Sequence, residues 1–402
     1  MSARSVVVVG GSLGGVRTAQ ALRSAGYDGR LVLVGEEPEL PYDRPPLSKG
    51  VLRDEDVSVL LTEADAAQLD LTLRLGVAAV GLDLADGCVV LADGDRLPFD
   101  DVVVATGSRP RPSPWGTPPG VHLLRTRADA TALRADLRRG GRLVVVGAGF
   151  IGAEVSAMAR ELGVEVTLVD PLPAPMSRVL GADVGGIFTE LHRRHGVETR
   201  LGAAVVDIES TPSGPRVVLA DGEVLPAASV LVGCGALPND DWLSSSALEV
   251  ADGLVCDQYC RSTSDERVHA VGDVARWWHP RHGESVRIEH WTNAVEQAAV
   301  VAHNIVSPDR PRAYSPVEYV WSDQYDWKIQ LVGRTLGAPV RMLGEPADRR
   351  FAVVYGAGDG RLGGLLAVNW PRAVVAARRA VAGGEDVEAL VGALQAVGIR
   401  GR

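Results

Sequence analysis

Residues 6–9 are four consecutive valines, a glycine-rich turn follows at 10–15, and apolar positions recur at helical spacing over 16–25. A second apolar run, 31–34, ends in Gly35 and Glu36. The same order returns later. Residues 143–146 are apolar, Gly147, Gly149 and Gly152 punctuate a turn, a helical stretch covers 153–162, and the apolar run 166–169 ends in Asp170. Short apolar runs without polar alternation are the pattern of strands buried on both faces. Their alternation with helices predicts right-handed βαβ units, one in each half of the chain.

The repetition continues past the acids. Val-Val-Leu-Ala-Asp-Gly stands at 89–94 and again at 217–222, each time followed by Leu-Pro and then an apolar strand, at 102–105 or 230–232. Asp-Gly between short apolar runs signals a hairpin, so each half should carry a small antiparallel meander on its βαβ core. The two copies differ in length, with 79 positions from Gly10 to Val89 and 70 from Gly147 to Val217. Most of the surplus follows Glu36, in the stretch containing Arg44, Pro45, Pro46 and Lys49. Only the first copy therefore owns this loop, and a loop specific to one copy is a natural place for function. Beyond residue 318, apolar runs at 329–332 and 351–355 and a helical stretch at 374–382 read as a smaller α+β domain.

Charge and cysteine usage narrow the function classes. The formal net charge of −10 argues against nucleic acid as a general partner. No apolar run approaches the ~20 residues of a membrane span, and the valine run follows too soon for a leader sequence, so a cytoplasmic protein is expected. The four cysteines, Cys88, Cys234, Cys256 and Cys260, form no Cys-x-x-Cys pair and no zinc-like cluster, and no metal is expected.

Gly147, Gly149 and Gly152 make the full dinucleotide fingerprint. The first allows the tight turn, the second lets backbone approach a pyrophosphate, and the third lets helix pack on strand. Phe150 and Ile151 then lie at the helix start, where free N–H groups face the phosphates. In the first turn Gly10, Leu13, Gly14 and Gly15 keep the pattern, but Ser12 takes the second glycine's place. Its small hydroxyl can itself donate to phosphate. Glu36 and Asp170, closing the two second strands, should accept from adenosine ribose hydroxyls. No cation directly follows Asp170, which favours NADH over NADPH.

With these turns go Tyr42–Gly50, Ala105-Thr106-Gly107-Ser108-Arg109-Pro110, Gly272-Asp273-Val274-Ala275, Glu289-His290-Trp291 and Trp321-Ser322-Asp323-Gln324-Tyr325. Together they resemble, over essentially the whole chain, the FAD-dependent ferredoxin reductases of bacterial oxygenase systems, a group that includes rubredoxin and putidaredoxin reductases. The resemblance implies an α/β fold with two Rossmann-like dinucleotide-binding domains, glutathione-reductase-like, plus the C-terminal α+β domain. It implies FAD bound by 1–110 and 233–317, NADH by 111–232, and a C-terminal domain at 318–402. Thr106, Gly107, Arg109, Gly272, Asp273, Glu289 and His290 are then expected to line the FAD, together with Arg44. Trp291 would flank the nicotinamide pocket, and the helix after it would direct its positive end at the flavin. Lys49 is expected at the reactive edge of the flavin, paired with Glu154 on the nicotinamide side.

The cysteines bear on where electrons leave. Disulfide reductases of the wider superfamily carry a cysteine pair after the first βαβ unit, and its peroxidases and oxidases a single one. Residues 36–74 contain none, so two-electron thiol chemistry is not expected. The resemblance instead implies hydride transfer from NADH to FAD and single electrons passed to a small iron–sulfur ferredoxin serving an oxygenase. A quinone or monodehydroascorbate-type reductase and an NADH-sensing flavoprotein are the alternatives. The segment Arg276–His282 offers local positive charge with aromatics for docking. Relatives of this type imply a monomer, with a dimer as the alternative.

Overall fold

The computed structural model describes residues 4–335, 337–358 and 360–396. By its internal contacts the chain divides into two compact units, each built from separate stretches. The first takes Met1–Asp43, Ser58–Arg109 and Ala236–Pro316; the second takes Arg44–Val57, Pro110–Gly235 and Val317–Arg402.

In the first unit the valine run forms strand Ser5–Val9, at the centre of a five-stranded parallel sheet. Arg30–Gly35 and then Leu71–Leu75 lie on one side, Asp101–Val104 and then Val268–Ala270 on the other. Val6, Val7 and Val8 are wholly buried, as a strand covered on both faces requires. The helices Leu13–Ser24 and Trp291–Val306 pack against each other. The expected hairpin closes between Cys88–Leu91 and Arg96–Pro98 and joins Ala79–Asp83 in an antiparallel meander.

The second unit repeats the plan. Its parallel sheet runs Glu198–Leu201, Glu165–Asp170, Arg142–Val146, Ser229–Val232, Val121–His122. A meander of Val205–Thr211, Gly214–Leu219 and Val224–Pro226 again carries the repeated hexapeptide. Both fingerprint helices begin about three residues earlier than the apolar spacing predicts, at Leu13 and Phe150. Apolar periodicity needs side chains, and the glycines of these first turns, Gly14, Gly15 and Gly152, supply none. The surplus loop, read from the sequence as part of the first copy, contributes Arg44–Val57 to the second unit instead. There it forms two short 3₁₀ turns, Pro45–Ser48 and Gly50–Arg53, beside the helix Arg127–Arg139.

The C-terminal part is a five-stranded antiparallel sheet ordered Tyr319–Gln324, Trp327–Gly333, Leu362–Val368, Arg350–Gly356, Pro339–Glu345. One face is covered by its own helices, Pro371–Gly383 and Val387–Ala396. The other buries Trp327, Ile329, Leu331, Phe351 and Tyr355 against Leu180, Val184, Phe188 and Leu191, on and beside the helix Ala182–Arg194. Among the described residues no helix is long and apolar enough to cross a membrane.

Candidate functional site

Each unit holds a glycine turn between a buried strand and a helix. In the first, Gly10 has φ +129°, and a methyl there would sit 2.1 Å from the Ala105 carbonyl oxygen. Gly15 lets the helix close on the turn, since a methyl would lie 2.0 Å from the Gly10 carbonyl oxygen. Ser12 has φ −131°, an extended conformation open to any residue, so the departure from the glycine pattern costs no backbone strain. The helix has no side-chain cap and no acid in its first turn. Its first internal bond is Val16 N–H to Ser12 O, 2.9 Å, so the amides of Leu13, Gly14 and Gly15 precede the helical ladder.

The second turn has the same construction. Gly147 has φ +104°, and a methyl on Gly152 would lie 1.9 Å from the Gly147 carbonyl oxygen. Gly149 caps the helix Phe150–Glu161, which also begins with no side-chain cap and no first-turn acid. A methyl on Gly149 would meet nothing within 4 Å. That open volume above unbonded amides is what a pyrophosphate occupies. By contrast the helices Glu63–Gln68 and Arg127–Arg139 close their first turns with capping boxes, Thr62 with Asp65 and Thr126 with Asp129. The two fingerprint helices thus keep their amides for an anion, and both cradles fit dinucleotides.

Asp170 is half-buried and accepts from Ala148 N–H at 2.6 Å and Leu172 N–H at 2.8 Å. It ties the glycine turn to the end of its own strand, and an ionised carboxylate keeps further lone pairs for a ligand. Glu36 follows its strand in an exposed position. Phe150 packs against the apolar cluster that contains Met176 and Phe188, whereas Ile151 is 43% exposed at the helix start.

Other residues singled out in the first unit gather at strand ends. Thr106 is bracketed by Asn239, whose carbonyl accepts from the Thr106 hydroxyl at 2.7 Å and whose side-chain amide donates to Thr106 O at 2.9 Å. Ser108 donates to the Asp273 carboxylate at 2.7 Å. Arg109 spends its guanidinium on Pro238 O, Asn239 and Asp241, holding that segment in place. Glu289 pairs with Arg287, which also donates to Asp273 O. His290 is the N-cap residue of the 16-residue helix Trp291–Val306, and Trp291 donates its indole N–H to Asp43 at 2.8 Å. Gly272 N–H is held by the buried Gln297 of that helix at 2.7 Å, which places the Gly272–Asp273 turn at the helix. In the proposed docking segment Trp277 is buried and Arg276 is paired with Asp252, while Trp278 is exposed.

Within the second unit, Lys49 and Glu154 meet as the sequence reading expects. Lys49 Nζ lies 2.7 Å from Glu154 Oε2, with the lysine side chain 20% exposed and the glutamate 4%. Ser48 donates to the same oxygen, and Ser322 donates to Oε1 at 2.7 Å. Arg44 instead donates to Arg125 O at 2.7 Å. Ser48, Ser322, Asn239 and Asp43 are absent from the sequence-based site. Asp43, Ser48 and Ser322 carried a signal, as parts of stretches that bear the resemblance, and Asn239 carried none.

Comparison with known proteins decides the family. A model described as pyridine nucleotide-disulphide oxidoreductase matches residues 4–298, and a reductase C-terminal model matches 319–400. The chain belongs to the pyridine nucleotide-disulphide oxidoreductases. Within them it groups with the ferredoxin reductases of oxygenase systems. It is 40% identical over 390 residues to the ferredoxin–NAD(+) reductase component of an anthranilate 1,2-dioxygenase system from Burkholderia cepacia, covering 96% of this chain and 95% of that one. Putidaredoxin reductase of Pseudomonas putida is 36% identical over 380 residues, covering 91% and 89%. The covalent putidaredoxin reductase–putidaredoxin complex matches with a TM-score of 0.87 at 33% identity, over 92% of this chain and 91% of that one. A ferredoxin reductase from Rhodopseudomonas palustris reaches 0.90 at 32% identity and 95% coverage of both chains.

This pyridine nucleotide-disulphide oxidoreductase is therefore an NAD(P)H-dependent flavoprotein, yet it lacks the dithiol that its family name suggests. Cys88, Cys256 and Cys260 are buried, and Cys234 is half-buried. Burial pushes the thiols of Cys256 and Cys260 well up. Burial, with the nearby Asp170 charge, also raises that of Cys234. Cys234, Cys256 and Cys260 are therefore not activated as thiolates at neutral pH.

Proposed function

We propose that this reductase binds FAD in the Gly10–Gly15 cradle and NADH in the Gly147–Gly152 cradle, and passes single electrons to a small iron–sulfur ferredoxin that serves an oxygenase. The observation that carries this reading is the pairing of Lys49 with the buried Glu154, where no cysteine follows the first βαβ unit. FAD supplies a ring that takes a hydride and gives up electrons one at a time. The domains assigned to these tasks are 1–110 with 233–317 for FAD, 111–232 for NADH, and 318–402 as the C-terminal domain.

The chain's own groups bind, orient and balance charge. The unbonded amides at Leu13–Gly15 and at Phe150–Gly152 hold the two pyrophosphates. Asp273, steadied by Ser108, accepts from a sugar hydroxyl, and Thr106 with Gly107 presents backbone to the ring. The helix Trp291–Val306 directs its positive end toward negative charge on the flavin. Lys49, fixed by Glu154, would offer its ammonium to the flavin, and Trp291, fixed by Asp43, would border the nicotinamide.

Anaerobic mixing with NADH and a series of ferredoxins, following flavin and iron–sulfur absorbance separately, tests the proposal. Flavin bleaching followed by stoichiometric iron–sulfur reduction is expected. Rapid turnover with a soluble quinone and none with any ferredoxin would overturn it. Lys49→Ala should slow flavin reduction by about 10–100-fold while the flavin stays bound, the cost of one charge-assisted contact. Nucleotide choice is assigned to Asp170, whose carboxylate repels a 2′-phosphate. Asp170→Asn should lower the NADH/NADPH ratio of kcat/KM by about tenfold, and an unaltered ratio would place selectivity elsewhere.

A further inference from the structure

Ser322 and Gln324 lie two residues apart on the strand Tyr319–Gln324, hence on one face of the C-terminal sheet. Both are wholly buried, although that strand packs on the helix Phe150–Glu161, where apolar side chains would be the more stable choice. Their bonds give the reason. Gln324 donates its side-chain N–H to Ser322 Oγ at 3.2 Å, with Met176 Sδ at 3.9 Å from the same nitrogen. A hydroxyl has one hydrogen. With Gln324 donating to its oxygen, Ser322 turns that hydrogen to Glu154 Oε1, 2.7 Å away. The other carboxylate oxygen is taken by Ser48 and by Lys49 Nζ at 2.7 Å. Behind Gln324 stands the buried His192, whose Nδ1 lies 3.1 Å from the Tyr325 hydroxyl. The Gln324 amide thus stands inside a packed array, with buried groups on both sides of it.

We propose that Ser322, oriented by Gln324, is a positioning residue for the Lys49–Glu154 pair. The C-terminal sheet sets the direction of the Glu154 carboxylate and, through it, the place of the Lys49 ammonium. This rests on the role given above to that pair. Without the hydroxyl, Oε1 is buried with no donor, the carboxylate turns, and Lys49 loses its fixed anchor. A matrix-like role for the C-terminal domain, in which Ser322 merely fills space, predicts no such coupling.

The test is a double-mutant cycle on the flavin-loaded protein, with Ser322→Ala and Glu154→Gln singly and together. Two quantities are read, the rate constant of flavin reduction by NADH and the flavin midpoint potential. Ser322→Ala is expected to slow reduction by about tenfold, the weight of one hydrogen bond to a charged group. It should shift the potential in the same direction as Glu154→Gln, by less. In the Glu154→Gln background, removing the Ser322 hydroxyl should change neither quantity further. Gln324→Met, which frees the hydroxyl to rotate, should reproduce the Ser322→Ala effect more weakly, and serves if Ser322→Ala folds poorly. Additive effects, or a Ser322→Ala protein indistinguishable from the parent, overturn the positioning role alone. A Glu154→Gln protein with unchanged rate and potential overturns the reading of the pair and this inference with it.

Discussion

Two glycines three residues apart separate folding from binding. At Gly152 a methyl would collide with the Gly147 carbonyl oxygen at 1.9 Å, a contact backbone cannot yield without moving the helix off the strand. Gly152→Ala should cost several kcal/mol of stability, on the order of other overpacked core positions, and show it as a lowered unfolding midpoint. Gly149 has φ −72° and open space where a methyl would go. Gly149→Ala should therefore leave the midpoint within about 1 kcal/mol of the parent, the modest cost of losing a glycine cap, while weakening NADH binding at least tenfold. Titration of the folded variant with NADH checks this, and unimpaired affinity would mean the pyrophosphate lies elsewhere. The same comparison explains how Ser12 fits in the first cradle. Its extended φ needs no glycine, so the sequence departure there changes surface and leaves the backbone path intact.

At the scale of helices and strands, the helix Ala182–Arg194 docks on the C-terminal sheet with His192 wholly buried near its end. Burial, then the neighbouring His195 charge, brings the His192 pKa down to about 4 from 6.5. Above pH 6.5 the ring is neutral in folded and unfolded chain alike and contributes nothing. As pH falls from 6.5 to about 4 the unfolded chain takes up the proton first, so stability drops, by roughly 3 kcal/mol in all, and then levels off. His192→Gln should flatten that part of the stability profile in denaturant titrations across this range. A profile as steep as the parent's would assign the acid sensitivity to other groups. None of this array was legible in the sequence, where His192 and Gln324 sit in unrelated apolar patterns 132 positions apart. What was legible is what local chemistry dictates: the valine strands, the glycine turns, and both Asp-Gly hairpins with their meanders. The Lys49–Glu154 pair came from the resemblance. Ser48, Ser322 and Asp43 lie in stretches that bear the resemblance, but their contacts, like those of Asn239, were not legible, because a single polar residue has no periodicity and gains meaning only from what long-range packing brings beside it.

For the molecule as a whole, electron flow should be indifferent to its sulfur. Three of the four cysteines are buried, and the raised thiols of Cys234, Cys256 and Cys260 keep them protonated. Treating the native protein with iodoacetamide should leave NADH-driven reduction of a one-electron acceptor within about twofold of the untreated rate. Loss of most of the activity, protected by NADH, would reveal a working thiol. The route of the chain through its two units has a further consequence. The sheet that begins with the valine run is not complete until Val268–Ala270 has joined it, and the helix packed on Leu13–Ser24 arrives later still, at Trp291–Val306. The parallel sheet of the second unit needs only residues 121–232. On a ribosome, then, four strands of the first sheet are made before the second sheet begins, but the edge strand and the helix that complete the first unit emerge only after the second sheet can close, so the unit begun first is finished last.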